Sequence, residues 1–146
     1  MTFSFQDVLA SISGPGGSFS LGAGSGNAEE GITIETNERT TQTVGADGRV
    51  VTTLIADRTG TIKVSLMKTS PVNQLLSNLF NFQMQDSTLV AQNTIVITNI
   101  ASGDTVTCSG VSFVKHPAIK FGKDPGNNEF EFKAQFVDYN LGVYPN

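Results

Sequence analysis

Thr59-Gly60-Thr61-Ile62-Lys63-Val64-Ser65-Leu66 and Glu129-Phe130-Glu131-Phe132-Lys133-Ala134-Gln135-Phe136 decide the fold class. In both, every second residue is apolar and its neighbours are polar, the period of a strand with one buried face. Ile62, Val64 and Leu66 point one way in the first; Phe130, Phe132, Ala134 and Phe136 are expected on one face of the second, with Glu129, Glu131, Lys133 and Gln135 opposite. Gly31-Ile32-Thr33-Ile34-Glu35 is a shorter example. Phe3, Phe5, Val8 and Ile12 predict an opening strand whose register shifts near Gln6-Asp7, as a β-bulge would make it do. Further strands are expected at 18–21, at 94–99, and from 104 to 121 with breaks at Gly110 and His116-Pro117. Gly14-Pro15-Gly16-Gly17, Gly22-Ala23-Gly24-Ser25-Gly26 and the segment 122–128 read as loops.

Between Arg39 and Ala56, two Thr/Val-rich runs flank Gly45-Ala46-Asp47-Gly48, where Asp-Gly supplies the positive φ of a tight reversal. This predicts a hairpin whose flanks are not one-sided in hydrophobicity, so it gains little from its own core and reaches toward something else. One helix is predicted over about 71–82. Ser70 suits the N-cap, Pro71 the first helical position, and Val72, Leu75, Leu76 and Leu79 form an i, i+3, i+4, i+7 stripe.

Composition agrees with a mainly β chain. Its 146 residues are 38% hydrophobic and only 15% charged, against a usual charged share of about 25%. No repeat or boundary interrupts it, so 1–146 is expected to be one domain. Ten Phe, spread with Val, Ile and Leu along the whole length, exclude disorder. A net charge of −4 excludes the ordinary basic nucleic-acid binder. The excess acid lies in residues 1–60, with seven acids against three Arg, while 61–146 hold six acids and six Lys. Cys108 is the sole cysteine, so no intrachain disulfide exists and a reducing, cytosolic site of folding is expected. No signal peptide or membrane span is visible.

Catalytic constellations are missing. His116, the only histidine, precedes Pro117 in an apolar stretch and reads as a turn or strand-end residue. One Cys and one His at no ligand spacing make no metal shell, and no Gly-x-Ser-x-Gly elbow is present. The glycines at 22, 24 and 26 do not match a dinucleotide fingerprint, because position 27 is Asn and no helix pattern follows. Glu29-Glu30 and Glu129/Glu131 are paired acids better read as solvated positions than as acid/base pairs. No enzyme activity and no cofactor are expected. A carbohydrate-binding β-sandwich remains as an alternative, with no Trp and two Tyr to stack on sugars.

Three ordered segments carry a resemblance: Ala46-Asp47-Gly48, then the run from Ala56-Asp57-Arg58 through Leu66, then Thr69-Ser70-Pro71-Val72-Asn73-Gln74-Leu75-Leu76. Together they resemble the tail tube proteins of contractile-tailed (myovirus-type) bacteriophages, most closely over about 30–82. R-type pyocin tubes and type VI secretion tubes are related. The resemblance implies an antiparallel β-sandwich or barrel-like tail tube fold with one helix, at about 71–82, and a protruding hairpin, at about 40–57. It implies a structural virion protein that forms hexameric rings. The rings stack into a conduit for DNA ejection inside a contractile sheath. Implied partners are copies of itself, the tail sheath protein, the baseplate and tail terminator proteins and the tape measure protein, with DNA passing through without specific binding. Its place would be the phage tail, after synthesis in the host cytoplasm.

On this reading Thr41, Thr43, Asp47, Gly48, Arg49, Val51 and Thr53 are the inter-subunit hairpin residues. Glu35 and Glu131 are candidate lumen-facing groups, with Lys63 and Lys133 on similar faces, since a lumen of negative character repels phosphates. Asn73, Gln74, Ser77 and Asn78 are the candidate sheath-facing residues of the helix. The alternative is a carbohydrate-binding sandwich of a tail fibre or baseplate accessory.

Overall fold

The computed structural model describes residues 8–21, 27–119, 121–124 and 126–143, and of 27–30 the backbone alone. The described strands are β1 (Val8–Gly14), β2 (Gly17–Ser20), β3 (Asn27–Thr36), β4 (Thr40–Val44), β5 (Val50–Leu54), β6 (Gly60–Met67), β7 (Asn93–Asn99), β8 (Asp104–Lys115), β9 (Asn127–Ala134) and β10 (Phe136–Asn140). One α-helix, α1 (Val72–Gln83), follows β6. The opening strand is thus present from Val8, while Phe3, Phe5 and the register shift at Gln6-Asp7 lie outside the described residues, as does the Gly22–Gly26 loop.

All pairings are antiparallel, and they run in the order β2-β1-β7-β8-β9-β6-β3, with β10 also on β8. β8 serves two sheets. Residues 104–111 pair with β7, 105–109 with β10, and 112–115 with β9. The change of sheet falls at Gly110, whose φ of +62° suits glycine. Opposite it, Gln135 N–H donates to the carbonyls of Ser109 (3.1 Å) and Gly110 (3.3 Å). A Cβ on Gly110 would come within 2.6 Å of the Gln135 amide.

That bulge corrects one expectation. Phe136 does not share the face of Phe130, Phe132 and Ala134; the extra residue at Gln135 turns it outward, 47% exposed, and Val137 takes the inward position. The predicted strand to 121 also stops early, at Lys115.

The core is what the alternation predicts. Ile62, Val64 and Leu66 of β6 meet Phe130 and Phe132 of β9, Val111 and Phe113 of β8, and Ile12 and Ile95 of β1 and β7. Phe113 packs at 4.8 Å from Phe132 and at 5.2 Å, edge to face, from Phe80 of α1. α1 adds Val72, Leu76 and Leu79 to the same cluster. Its start follows the predicted chemistry: Ser70 Oγ accepts the Val72 N–H at 3.3 Å, and Pro71 already has helical φ and ψ of −66° and −18°. Leu75, expected in the buried stripe, is exposed. Val72, Leu76, Leu79 and Gln83 define the packed face instead.

Gln83 is buried because it pairs with an equally buried amide. Gln83 Nε2 donates to Asn93 Oδ1 (2.6 Å) and to the Pro15 carbonyl (3.2 Å). In return Asn93 Nδ2 donates to Gln83 Oε1 (2.8 Å) and to the Val111 carbonyl (2.9 Å). One polar cluster therefore ties the end of α1 to the β1–β2 turn, the start of β7 and the middle of β8. Such a network is stable because each of these amides has partners.

Candidate assembly interface

β4 and β5 form a sheet of their own, with Thr40 opposite Leu54, Gln42 opposite Thr52, and Val44 opposite Val50. All ten strand residues are exposed. Cross-strand partners share a face, so Val44, Val50 and Leu54 lie on one side, and Thr41, Thr43, Val51 and Thr53 on the other. At ~3.4 Å per residue the ladder is about 17 Å long. Val44, Val50, Val51 and Leu54 are each more than half exposed. A lone two-stranded hairpin is marginal in water, and these side chains have no cover within the described residues.

The turn is built as the Asp-Gly signal predicts. Gly48 has φ +81°, and its N–H donates to the Gly45 carbonyl at 3.0 Å. Asp47 Oδ1 accepts the Arg49 N–H at 3.1 Å. Arg49 Nε lies 3.4 Å from Asp47 Oδ2, so the tip carries one cation and one anion in full view of solvent.

The base of the hairpin is clamped. Asn37 Nδ2 donates to Asp57 Oδ2 (3.0 Å) and Thr59 Oγ1 (2.7 Å), and Asp57 Oδ1 accepts the Thr59 N–H (2.9 Å). The hydrogen bonds from Thr59, side chain first, hold the Asp57 carboxyl below its ordinary value. Arg58 Nη2 reaches Asp138 Oδ1 at 2.9 Å and lies over the Phe136 ring at 5.4 Å. The Arg58–Asp138 clasp was not legible in the sequence, since nothing local links residues 80 apart.

Glu35 and Glu131 fall on one outward face, that of β3, β6, β9 and the end of β8. The register sets two rows across it: Thr33–Lys63–Glu131–Lys115 and Glu35–Thr61–Lys133–Ser112. Glu129 lies beyond them, opposite Ser65. The face thus holds Glu35, Glu129 and Glu131 against Lys63, Lys115 and Lys133, and is balanced in charge rather than acidic. Strict alternation would put Lys115 inside with Phe113. A bulge between them turns it outward beside Glu131, which hid it from the sequence reading.

On α1, Gln74 and Asn78 are exposed, while Ser77 and Asn73 are half-buried. Asn73 Nδ2 is occupied by the carbonyls of Met67 (2.8 Å), Lys68 (3.3 Å) and Ser70 (3.1 Å), so it braces the entry to the helix. His116 stacks on Phe80 at 4.3 Å, with Nε2 3.2 Å from Asn81 Oδ1. Among the described residues no three His, Cys, Asp or Glu side chains are grouped to hold a metal. Burial raises the Cys108 thiol to about 11.

Residues 1–142 match the profile of a family described as the Bacteriophage PhiTE tail tube protein. The chain belongs to that tail tube family. Solved structures share the tail tube fold of this member. A chain of the sheath-tube complex of the extracellular contractile injection system PVC, in its extended state, has a TM-score of 0.56 at 14% identity, over 90% of this chain and 88% of that one. A chain of the PVC sheath/tube terminator has a TM-score of 0.56 at 16% identity, over 96% and 97%. A chain of the anti-feeding prophage cap that terminates its tube gives 0.53 at 10% identity, over 97% and 93%. No curated protein sequence matches this family member.

Proposed function

We propose that this chain is the repeating subunit of the inner tube of a contractile tail. Residues 1–146 act as one tail tube domain, six copies close into a ring, and rings stack into a conduit for DNA. The observation that carries this is the free-standing β4–β5 hairpin, clamped at its base and, within the described residues, uncovered on both faces. A neighbouring subunit supplies the cover. Thr41, Thr43, Val51 and Thr53 present one face to it, and Asp47, Gly48 and Arg49 the tip. Such head-to-tail contacts close rings or propagate along a tube.

In the same reading the charge-balanced face with Glu35 and Glu131 lines the lumen. Lys63 and Lys133 offset Glu35 and Glu131 there, so DNA slides past without being held, specifically or otherwise. The exposed Gln74 and Asn78 of α1, with Asn73 and Ser77 beside them, face the tail sheath protein. The tube ends meet the baseplate and the tail terminator, and the tape measure protein sets its length. The protein is made in the host cytoplasm, acts in the virion tail and catalyses nothing. Membership of the tail tube family favours this over a carbohydrate-binding accessory.

Electron microscopy of the purified chain, with and without deletion of Thr41–Val51, tests the reading. The intact chain is expected to form rings and stacked tubes; the deleted chain is expected to stay folded and soluble but not polymerise. Tube formation by the deleted chain refutes the role of the hairpin.

A further inference from the structure

A second feature lies at the far end of the sheet from the hairpin. Between the end of β8 and the start of β9 is a cavity of about 290 Å³, whose walls include Lys115, His116, Asn127, Glu129 and Glu131. That volume is at the lower limit of small-ligand pockets, and suits a protein side chain better than a cofactor. Its walls mix charged groups, Lys115, Glu129 and Glu131, with the apolar Pro117 and Ala118. His116 is held in place by Phe80 and Asn81.

β6 and β9 define the geometry. Gly60, where the hairpin segment enters the sheet, pairs with Ala134, whereas Met67 at the other end pairs with Asn127 at the cavity. Hairpin and cavity therefore sit toward opposite ends of the same two strands, as a plug and a socket must in a head-to-tail stack.

Charge decides which groups meet. Glu131 already has Lys63 and Lys115 as its cross-strand neighbours. Glu129 faces Ser65 and, among the described residues, has no lysine opposite in the register, so it is the carboxylate open to a new cation. At the hairpin tip Arg49 is that cation, and its present contact with Asp47 is an exposed pair of low strength, easily exchanged. Resting on the hairpin reading above, we infer that the socket between β8 and β9 receives the hairpin tip of a second copy, Arg49 binding Glu129 and Asp47 turning to Lys115. An arginine suits this role because its planar fork matches a carboxylate.

Charge reversal tests it on the full chain. Arg49→Glu, Glu129→Arg and the double variant are compared with wild type for pelletable tubes at equal concentration and low salt, with circular dichroism checking the fold. Each single reversal is expected to cut tube yield by roughly tenfold or more, and the double to restore it to within about threefold. Glu129→Gln, which keeps the shape and removes the charge, is expected to give an intermediate loss. Single variants that polymerise like wild type overturn the pairing, as does a double variant no better than the singles. Deletion of Thr41–Val51 separates the two ideas. If the deletion blocks tubes and the double reversal fails to rescue, the socket is wrong and the hairpin reading stands. If the deleted chain polymerises, both fall, and a wild-type chain that never polymerises overturns the tube reading itself.

Discussion

Replacing Gly14 by Ala is the most discriminating test of how this core is held together. The backbone at Gly14 is not left-handed, so alanine itself is tolerated there. The new methyl, however, would lie 1.9 Å from Asn93 Oδ1, 2.9 Å from Asn93 Cγ and 3.3 Å from its Cα. The amide must move, and with it the reciprocal bonds to Gln83 at 2.6 and 2.8 Å. Overpacking costs about 1–3 kcal/mol, and each buried polar group left without a partner about 1–3 kcal/mol more. The expected total is roughly 3–6 kcal/mol, which at about 2–4 °C per kcal/mol for a domain of this size lowers Tm by about 10–20 °C. Gly17→Ala is the control: nothing lies within 4 Å of its Cβ, so Tm should stay within about 2 °C of wild type. In Gly14→Ala/Asn93→Ala the second change removes the obstruction, so the pair should be no less stable than Asn93→Ala alone. Thermal melts followed by circular dichroism read all four variants. A Gly14→Ala Tm within about 3 °C of wild type would refute the reasoning.

Three further outcomes are expected. The Asp57 carboxyl is held below its unfolded value of 3.8, so its contribution to the hairpin base is complete above that value and is lost as pH falls through the lower folded value. Protection of the Asn37 and Thr59 amides relative to their intrinsic exchange rates, measured by NMR, should fall in that acid window, and Asp57→Asn should remove this pH-dependent loss of protection. Cys108, buried and raised to about 11, should resist iodoacetamide at pH 8 until the chain is unfolded; rapid labelling of the folded chain would contradict its burial. Phe132→Ala empties a fully buried site against Phe113 and should cost about 3–5 kcal/mol, read as a shift in the urea midpoint.

The sequence made the regular elements legible where one rule acts alone. Alternation located β6 and β9, Asp47-Gly48 located the hairpin, and Ser70-Pro71 located the start of α1. It failed where a bulge intervened, because one extra residue inverts every later side chain. Gln135 turns Phe136 outward, and the irregularity after Phe113 turns Lys115 outward. Nor does alternation reveal buried amides. Gln83 and Asn93 look like surface residues until the fold brings them together, so the polar cluster had no sequence signal. That Glu35 and Glu131 share a face with Lys63, Lys115 and Lys133 depends on register between strands far apart in sequence, which alternation alone does not supply.

The position of β9 has a consequence for timing. It is inserted between β6 and β8, with residues 127–134 completing contacts to strands that end more than ten residues earlier. On a growing chain the β4–β5 hairpin, a local structure, forms long before β9 emerges. Until then β6 shows a bare edge beside Ile62, Val64 and Leu66, and half of the β8–β9 cavity wall is missing. If the hairpin tip docks in this cavity as proposed, a growing chain offers no finished socket, and head-to-tail polymerisation begins only between completed molecules.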